Sequence, residues 1–250
     1  NTDVSYNNAT DYGGAIYVAG NNALIDLVDF EKCIAYDFDG GAIYVTGINT
    51  TISNSKFAEN RVNGSEARGG SINIQGNVTK VLNCIFDKCT AYEGGVIYVN
   101  GFNVTIDGYS CNRSLATNGG AIYIMGDYVS ISNFNMSYTN ATDYGGAIYV
   151  AGDFVTIDNS NFTRCISYSE DGGALFIAGS NTTITNSNFI ENRANGPGSC
   201  GGSAYIQGNN ILFEDCTFTR CTAIEGGAIY IDGTNVRIED SSAAFSAAVN

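Results

Sequence analysis

The chain has 250 residues, with 11 Lys and Arg against 25 Asp and Glu, a net charge of −14 and no His. That balance argues against a nucleic-acid partner, whose phosphates need clustered cations, and the lack of His removes the commonest general base and metal ligand. Charged residues make up only 14%, below the roughly 25% of an average domain, and no run of about 20 apolar residues could cross a membrane as a helix.

Neither an initiator Met nor a signal peptide opens the chain, and Asn1 aligns with Asn133 inside a strand of a repeat. The chain therefore reads as a mature segment or a slice of something longer. At Gly13 begins the phrase that governs the rest, Gly-Gly-Ala-Ile-Tyr-Val-Ala-Gly. Further Gly pairs begin at 40, 69, 94, 119, 145, 172, 201 and 226, at intervals of 27, 29, 25, 25, 26, 27, 29 and 25 residues. A period of this size marks a solenoid, in which one unit cannot bury its apolar face and stacks on its neighbours.

Each unit predicts the same elements in the same order. The first strand follows the Gly pair. Its columns at Ile16 and Val18 recur as Ile43 and Val45, Ile72 and Ile74, and so on to Ile229 and Ile231, with no polar residue, so both face inward. Between them lies a column of Tyr17, Tyr44, Asn73, Tyr98, Tyr123, Tyr149, Phe176, Tyr205 and Tyr230. Its polar member and its flanks predict that this face meets water. A Gly seven residues after the first, such as Gly20 or Gly47, implies a corner with close backbone approach. The second strand alternates as in Val104-Thr-Ile106 and ends near an Asn column of Asn54, Asn83, Asn133, Asn159 and Asn186, suited to an amide ladder. A third strand carries Phe30, Phe57, Phe86, Phe162, Phe189 and Phe218 inward, with Cys111 in the same column. Three residues later stand Cys33, Asn60, Cys89, Cys165, Asn192 and Cys221, and an Ala column leads into loops.

Three strands per coil over about nine coils describe an all-β, right-handed parallel β-helix. A leucine-rich horseshoe lacks support, because its Leu-x-x-Leu-x-Leu signature is missing. A second period lies above the first: residues 8–20 recur letter for letter at 140–152, an offset of 132. The chain is thus one solenoid domain over residues 1–250, built from a duplicated five-coil cassette. Duplication lengthens or multiplies a surface, whereas an enzyme needs one asymmetric site. The last strand runs from Asp240 to Ala248 without a capping helix, which predicts either a slice of a longer stalk or copies stacked end to end as a filament.

Gly-Gly-Ala-Ile at 13–16, 40–43, 119–122, 145–148 and 226–229, with Phe57-Ala-Glu-Asn60 and Phe189-Ile-Glu-Asn192, resembles the paired motifs of chlamydial polymorphic outer-membrane proteins. The chain also resembles adhesin-like β-helix repeat proteins of methanogenic archaea. The resemblance implies a pectin-lyase-like β-helix and an extracellular, cell-surface structural protein of adhesin type. No counterpart of the chlamydial membrane barrel is present in this sequence.

On that reading the partners are cell-surface glycans or proteins, or copies of the chain itself. The expected contact face is Tyr17, Tyr44, Tyr98, Tyr123, Tyr149, Phe176, Tyr205 and Tyr230, since phenol rings combine a flat apolar face with a polar rim. A ladder of rings that only stabilises its sheet is the alternative. No catalytic residue, metal or cofactor is expected. Because many β-helix proteins act on polysaccharides, an enzyme is the second alternative, with Asp26, Asp107, Asp158, Glu214 and Glu239 sharing one outward column. The eight cysteines are expected to be unpaired core thiols, as no Cys-x-x-Cys occurs. Ten Asn-x-Ser/Thr sites, among them Asn8, Asn63 and Asn135, suit a glycosylated surface. An outward Thr column (Thr51, Thr105, Thr156, Thr183) would suit ice, but Lys80, Leu212 and Arg237 interrupt it.

Overall fold

A computed structural model describes residues 2–108 and 110–248, so the expectation for Asn1 lies outside the described residues. The chain winds as a right-handed parallel β-helix, with no helical element among the described residues. Each Gly pair is followed by a strand of a nine-stranded first sheet, from Ile16–Val18 to Ile229–Ile231. The second sheet has nine strands, from Leu24–Asp26 to Val236–Glu239, and the third has ten, from Thr2–Ser5 to Ser242–Ala244. All pair in parallel and in register, so Ile72 lies between Ile43 and Ile97 and Phe57 between Phe30 and Phe86.

A fourth ladder was not anticipated. Two-residue strands such as Ile34–Ala35, Leu115–Ala116 and Arg193–Ala194 pair from coil to coil where the Ala column was expected to lead straight into loops. Two residues carry too little alternation to show as a strand in sequence.

The interior is continuous. Ile43, Ile72, Ile97 and Ile122 are fully buried with the Phe column, in which Phe162, Phe189 and Phe218 stack at 4.8 Å centroid spacing. The paired Phe and Asn have separate tasks. At the corner after the third strand, the buried Asn60 accepts a hydrogen bond from Cys33 N–H (2.8 Å) and donates to Phe30 C=O (3.2 Å). Asn192 does the same with Cys165 N–H (2.9 Å) and Phe162 C=O (3.1 Å). One side-chain amide thus satisfies two backbone groups of the coil below that would otherwise be buried unpaired.

All eight cysteines are unpaired, and seven are buried. Burial pushes the Cys84 and Cys89 thiols up to about 11 and Cys165 up to about 12, so they sit in the core as small apolar side chains.

The Asn column forms a ladder only in part. Asn159 donates to Asn133 (2.6 Å) and Asn83 to Asn54 (3.4 Å), while Asn54, Asn133 and Asn186 donate to Asp26, Asp107 and Asp158. It is broken at Gly108, where a Cβ would lie 1.8 Å from the Phe134 ring. Phe134 fills that space and is 1% exposed.

Candidate functional site

The phenol column stands on the outer side of the first sheet, away from the Ile and Val core, but it does not meet water along its length. Tyr17 is 51% exposed, whereas Tyr98, Tyr123 and Phe176 are 2%, 7% and 6% exposed and Asn73 is fully buried. Tyr44, Tyr149, Tyr205 and Tyr230 are half-buried. In-register pairing brings the rings together, with centroids 5.5 Å apart for Tyr98–Tyr123, 4.6 Å for Tyr123–Tyr149, 4.9 Å for Tyr149–Phe176, 5.1 Å for Phe176–Tyr205 and 5.3 Å for Tyr205–Tyr230. Six rings therefore form one stack, and Asn73 separates it from the Tyr17–Tyr44 pair at 5.2 Å.

What covers the centre is a column that sequence reasoning missed, the residue just before each Gly pair. In coil order it reads Tyr12, Asp39, Arg68, Glu93, Asn118, Tyr144, Asp171, Cys200 and Glu225. Its signal was its fixed offset from the Gly pair, hidden because the side chains share no chemistry. Arg68 Nε donates to Glu93 Oε2 (2.9 Å), its guanidinium lies 5.1 Å from the Tyr98 ring centroid, and its backbone N–H donates to Asp39 Oδ1 (2.7 Å). Desolvation raises the Asp39 and Glu93 carboxyls, with Arg68 opposing it. Asp171, one cassette on, is raised by burial as well.

The same column builds two aromatic clusters. Tyr12 lies 4.5 Å from Tyr44, 5.0 Å from Phe38 and 6.3 Å from Tyr17. One cassette later, Tyr144 lies 4.7 Å from Phe176 and 6.4 Å from Tyr149. Tyr12, Phe38, Asp37, Asp39 and Arg68 border an open cavity of about 390 Å³ on this face.

Burial chiefly pushes the Tyr44 and Tyr205 phenols up to about 12 from an ordinary 10. An acid whose pKa is raised on folding stabilises the fold fully below its unfolded value, and loses that contribution as pH climbs through the folded one. The fold should therefore weaken between about pH 10 and 12. Phenolate absorbance and circular dichroism followed together should show these phenols ionising above pH 10 as the strands melt; ionisation of every Tyr at an ordinary pH with strands intact would contradict the stacked arrangement.

Of the outward carboxylates of the second sheet, Asp26, Asp107 and Asp158 are engaged within the fold, and Glu239 pairs with Arg237. Asp26 accepts from Ser53 Oγ (2.6 Å) and Asn54, and Asp158 from Thr185 Oγ1 (2.6 Å) and Asn186. These hydrogen bonds lower both pKa values. No group of three or more His, Cys, Asp or Glu side chains able to hold a metal occurs among the described residues, and no helix there is long and apolar enough to cross a membrane.

Fold and repeat together define a parallel β-helix repeat protein. Residues 146–244 match the family model described as a right handed beta helix region. No curated protein and no solved structure matches this chain.

Proposed function

We propose that this chain is an extracellular, cell-surface β-helix of adhesin type, and that the outer side of its first sheet contacts glycans or a partner's surface. The observation that carries the reading is the duplicated aromatic cluster, Tyr12, Tyr17 and Tyr44 in one cassette and Tyr144, Tyr149 and Phe176 in the next. Five coils separate the two, about 24 Å at the usual strand spacing. The two are related but not equal: the first exposes Tyr17 and Phe38, whereas in the second Tyr149 is half-buried, Phe176 is 6% exposed and Glu170 stands where Phe38 does, so the first cluster carries the contact. The exposed rings of Tyr17 and Phe38 offer the first cluster to solvent, and exposed aromatic patches mark interaction surfaces. The role is non-catalytic, in keeping with outward aspartates committed to the hydrogen bonds of the next coil. Surface Asn-x-Ser/Thr sites such as Asn63 and Asn135 suit a glycosylated exterior.

The buried Tyr98 and Tyr123 are unsuitable probes, because their loss unpacks the stack. The test is Tyr17→Ser with Phe38→Ser, assayed on a glycan array and on whole cells. Binding should fall about tenfold, the scale of one lost aromatic contact, with the strand circular dichroism retained and only a small fall in melting temperature from the lost ring contacts with Tyr44 and Tyr12. Equal binding by variant and parent would remove this face from the proposal.

A further inference from the structure

The −14 charge is unevenly spread. Seven of the eleven cations, Lys32, Arg61, Lys88, Arg113, Arg164, Arg193 and Arg220, lie along one edge, where the third sheet turns into the two-residue ladder. Along this edge the balance of charge changes after Lys88. Lys32, Arg61 and Lys88 are balanced by Glu31, Glu59 and Asp87, with Glu59 between the two lysines at 3.8 and 3.4 Å. Of Arg113, Arg164, Arg193 and Arg220, two share the acid Glu191, which holds Arg164 Nε at 2.6 Å and Arg220 at 3.3 Å. Arg113 and Arg193 are exposed and make no ion pair among the described residues.

The backbone argues that these arginines are not there for the turn. Arg113, Arg164 and Arg220 have φ of 53°, 54° and 55°, the left-handed region. At the preceding corner Asn54, Asn83, Asn133, Asn159 and Asn186 take that conformation, as Asn does at low cost. An arginine there brings no such relief, but it projects a guanidinium fork suited to carboxylate or sulfate. Between Arg113 and Arg164 the same column holds Tyr138, whose hydroxyl accepts from Arg164, whose ring lies 5.6 Å from that guanidinium, and which is 44% exposed. Arg113, Leu115, Tyr138, Asn140 and Tyr168 line an open cavity of about 440 Å³. Tyr168 is 48% exposed. Cationic forks beside exposed phenol rings fit a chain of charged sugars: anions for the arginines, ring faces for the tyrosines.

We propose that this edge binds a linear anionic polysaccharide along the solenoid axis, with Arg113, Arg164, Arg193 and Arg220 receiving its carboxylate or sulfate groups and Tyr138 and Tyr168 stacking on its sugar rings. From the coil of Arg113 to that of Arg220 is four rungs, about 19 Å, room for several sugars. The remaining surface is strongly acidic and repels such a polymer, which confines it to this edge.

The experiment measures binding of the 250-residue chain to immobilised polygalacturonate, heparin, dextran and single-stranded DNA. Binding to polygalacturonate, to heparin or to both is expected, steeply weakened by added salt, with none to dextran. Polygalacturonate alone identifies a carboxylate polymer, and heparin alone a sulfated one. Arg113→Gln with Arg193→Gln should weaken it about tenfold or more through two lost charge-assisted contacts, with melting unchanged because neither residue holds an ion pair. Lys80→Gln, on the second sheet, should bind like the parent. Failure to bind either acidic glycan at low salt overturns the proposal, as does undiminished binding by the double Arg variant. DNA held as tightly as glycan also overturns it, since the edge would then be reading charge alone. Tyr17→Ser with Phe38→Ser should leave this binding intact, so the two faces fail separately.

Discussion

Replacing Gly76 by Ala is expected to unfold the centre of the solenoid, while the same change at Gly20 leaves the 250-residue chain intact. Both belong to the Gly column that ends the first strand. A Cβ on Gly76 would lie 2.0 Å from the carbonyl oxygen of Gly47 and 2.9 Å from its carbon, whereas one on Gly20 meets nothing within 4 Å. The clash is with backbone, so no rotamer relieves it. Gly76 N–H also donates to Val45 C=O at 3.0 Å, so moving Gly76 away breaks the ladder that joins the two coils. Overpacking and a lost buried hydrogen bond together put the cost at about 3 kcal/mol or more. Gly20→Ala should fall within about 0.5 kcal/mol of the parent, with a small gain from reduced unfolded-state freedom. Urea unfolding followed by circular dichroism compares them. Equal midpoints would mean that the coils stand further apart here than the register shows.

The two glycines of each pair act differently again. Gly69 has φ of +66°, and a Cβ there would lie 2.2 Å from Ile72 C=O, so it needs the left-handed region itself. Gly95 needs the space, because a Cβ would lie 2.3 Å from Gly120 C=O in the next coil. The motif is thus a conformational demand followed by a packing demand, repeated in every coil.

That repetition is why the fold was legible. A solenoid writes the same constraint nine times, so the Ile, Val, Phe and Gly columns stood out from single substitutions, and each lies where its column predicted. The site was less legible, because its chemistry rests on columns whose members differ. Tyr12, Asp39, Arg68 and Glu93 share only an offset, yet they decide which phenols reach solvent. Tyr17 lies on the edge strand of the first sheet and pairs only with Tyr44, while Tyr98 lies between Asn73 and Tyr123, but the residue type alone does not distinguish the half-buried Tyr149 from the buried Tyr123. Burial on an outer face depends on how far neighbouring loops lean over it, and alternation reports only which side of the sheet a residue takes. The arginine edge escaped for a related reason: its members come from two columns on either side of a corner, 113, 164 and 220 in one and 193 in the other, and a net charge of −14 hides a local excess of cations.

Phe189→Ala tests the other half of the packing. Phe189 is fully buried, stacked on Phe162 at 7° and on Phe218 at 8°, each with centroids 4.8 Å apart. Phe213 adds a tilted contact at 6.4 Å. Truncation removes ring contacts on both sides and leaves a void inside a closed tube, whose walls are held by ladders of the first, second and third sheets and cannot collapse inward. The expected cost is about 4 kcal/mol, toward the upper part of the range for large-to-small changes in cores. Since each coil contacts only its neighbours, the damage should appear as local fraying rather than a uniform loss. Hydrogen exchange should accelerate most in the third-sheet strands Asn161–Thr163, Asn188–Ile190 and Thr217–Thr219, while Lys56–Ala58 keeps its protection. Phe189→Leu, which fills most of the void, should recover more than half of the loss. Uniform acceleration along the chain would instead mean that the coils unfold as one cooperative unit, and that the ring column transmits its strain over the whole rod.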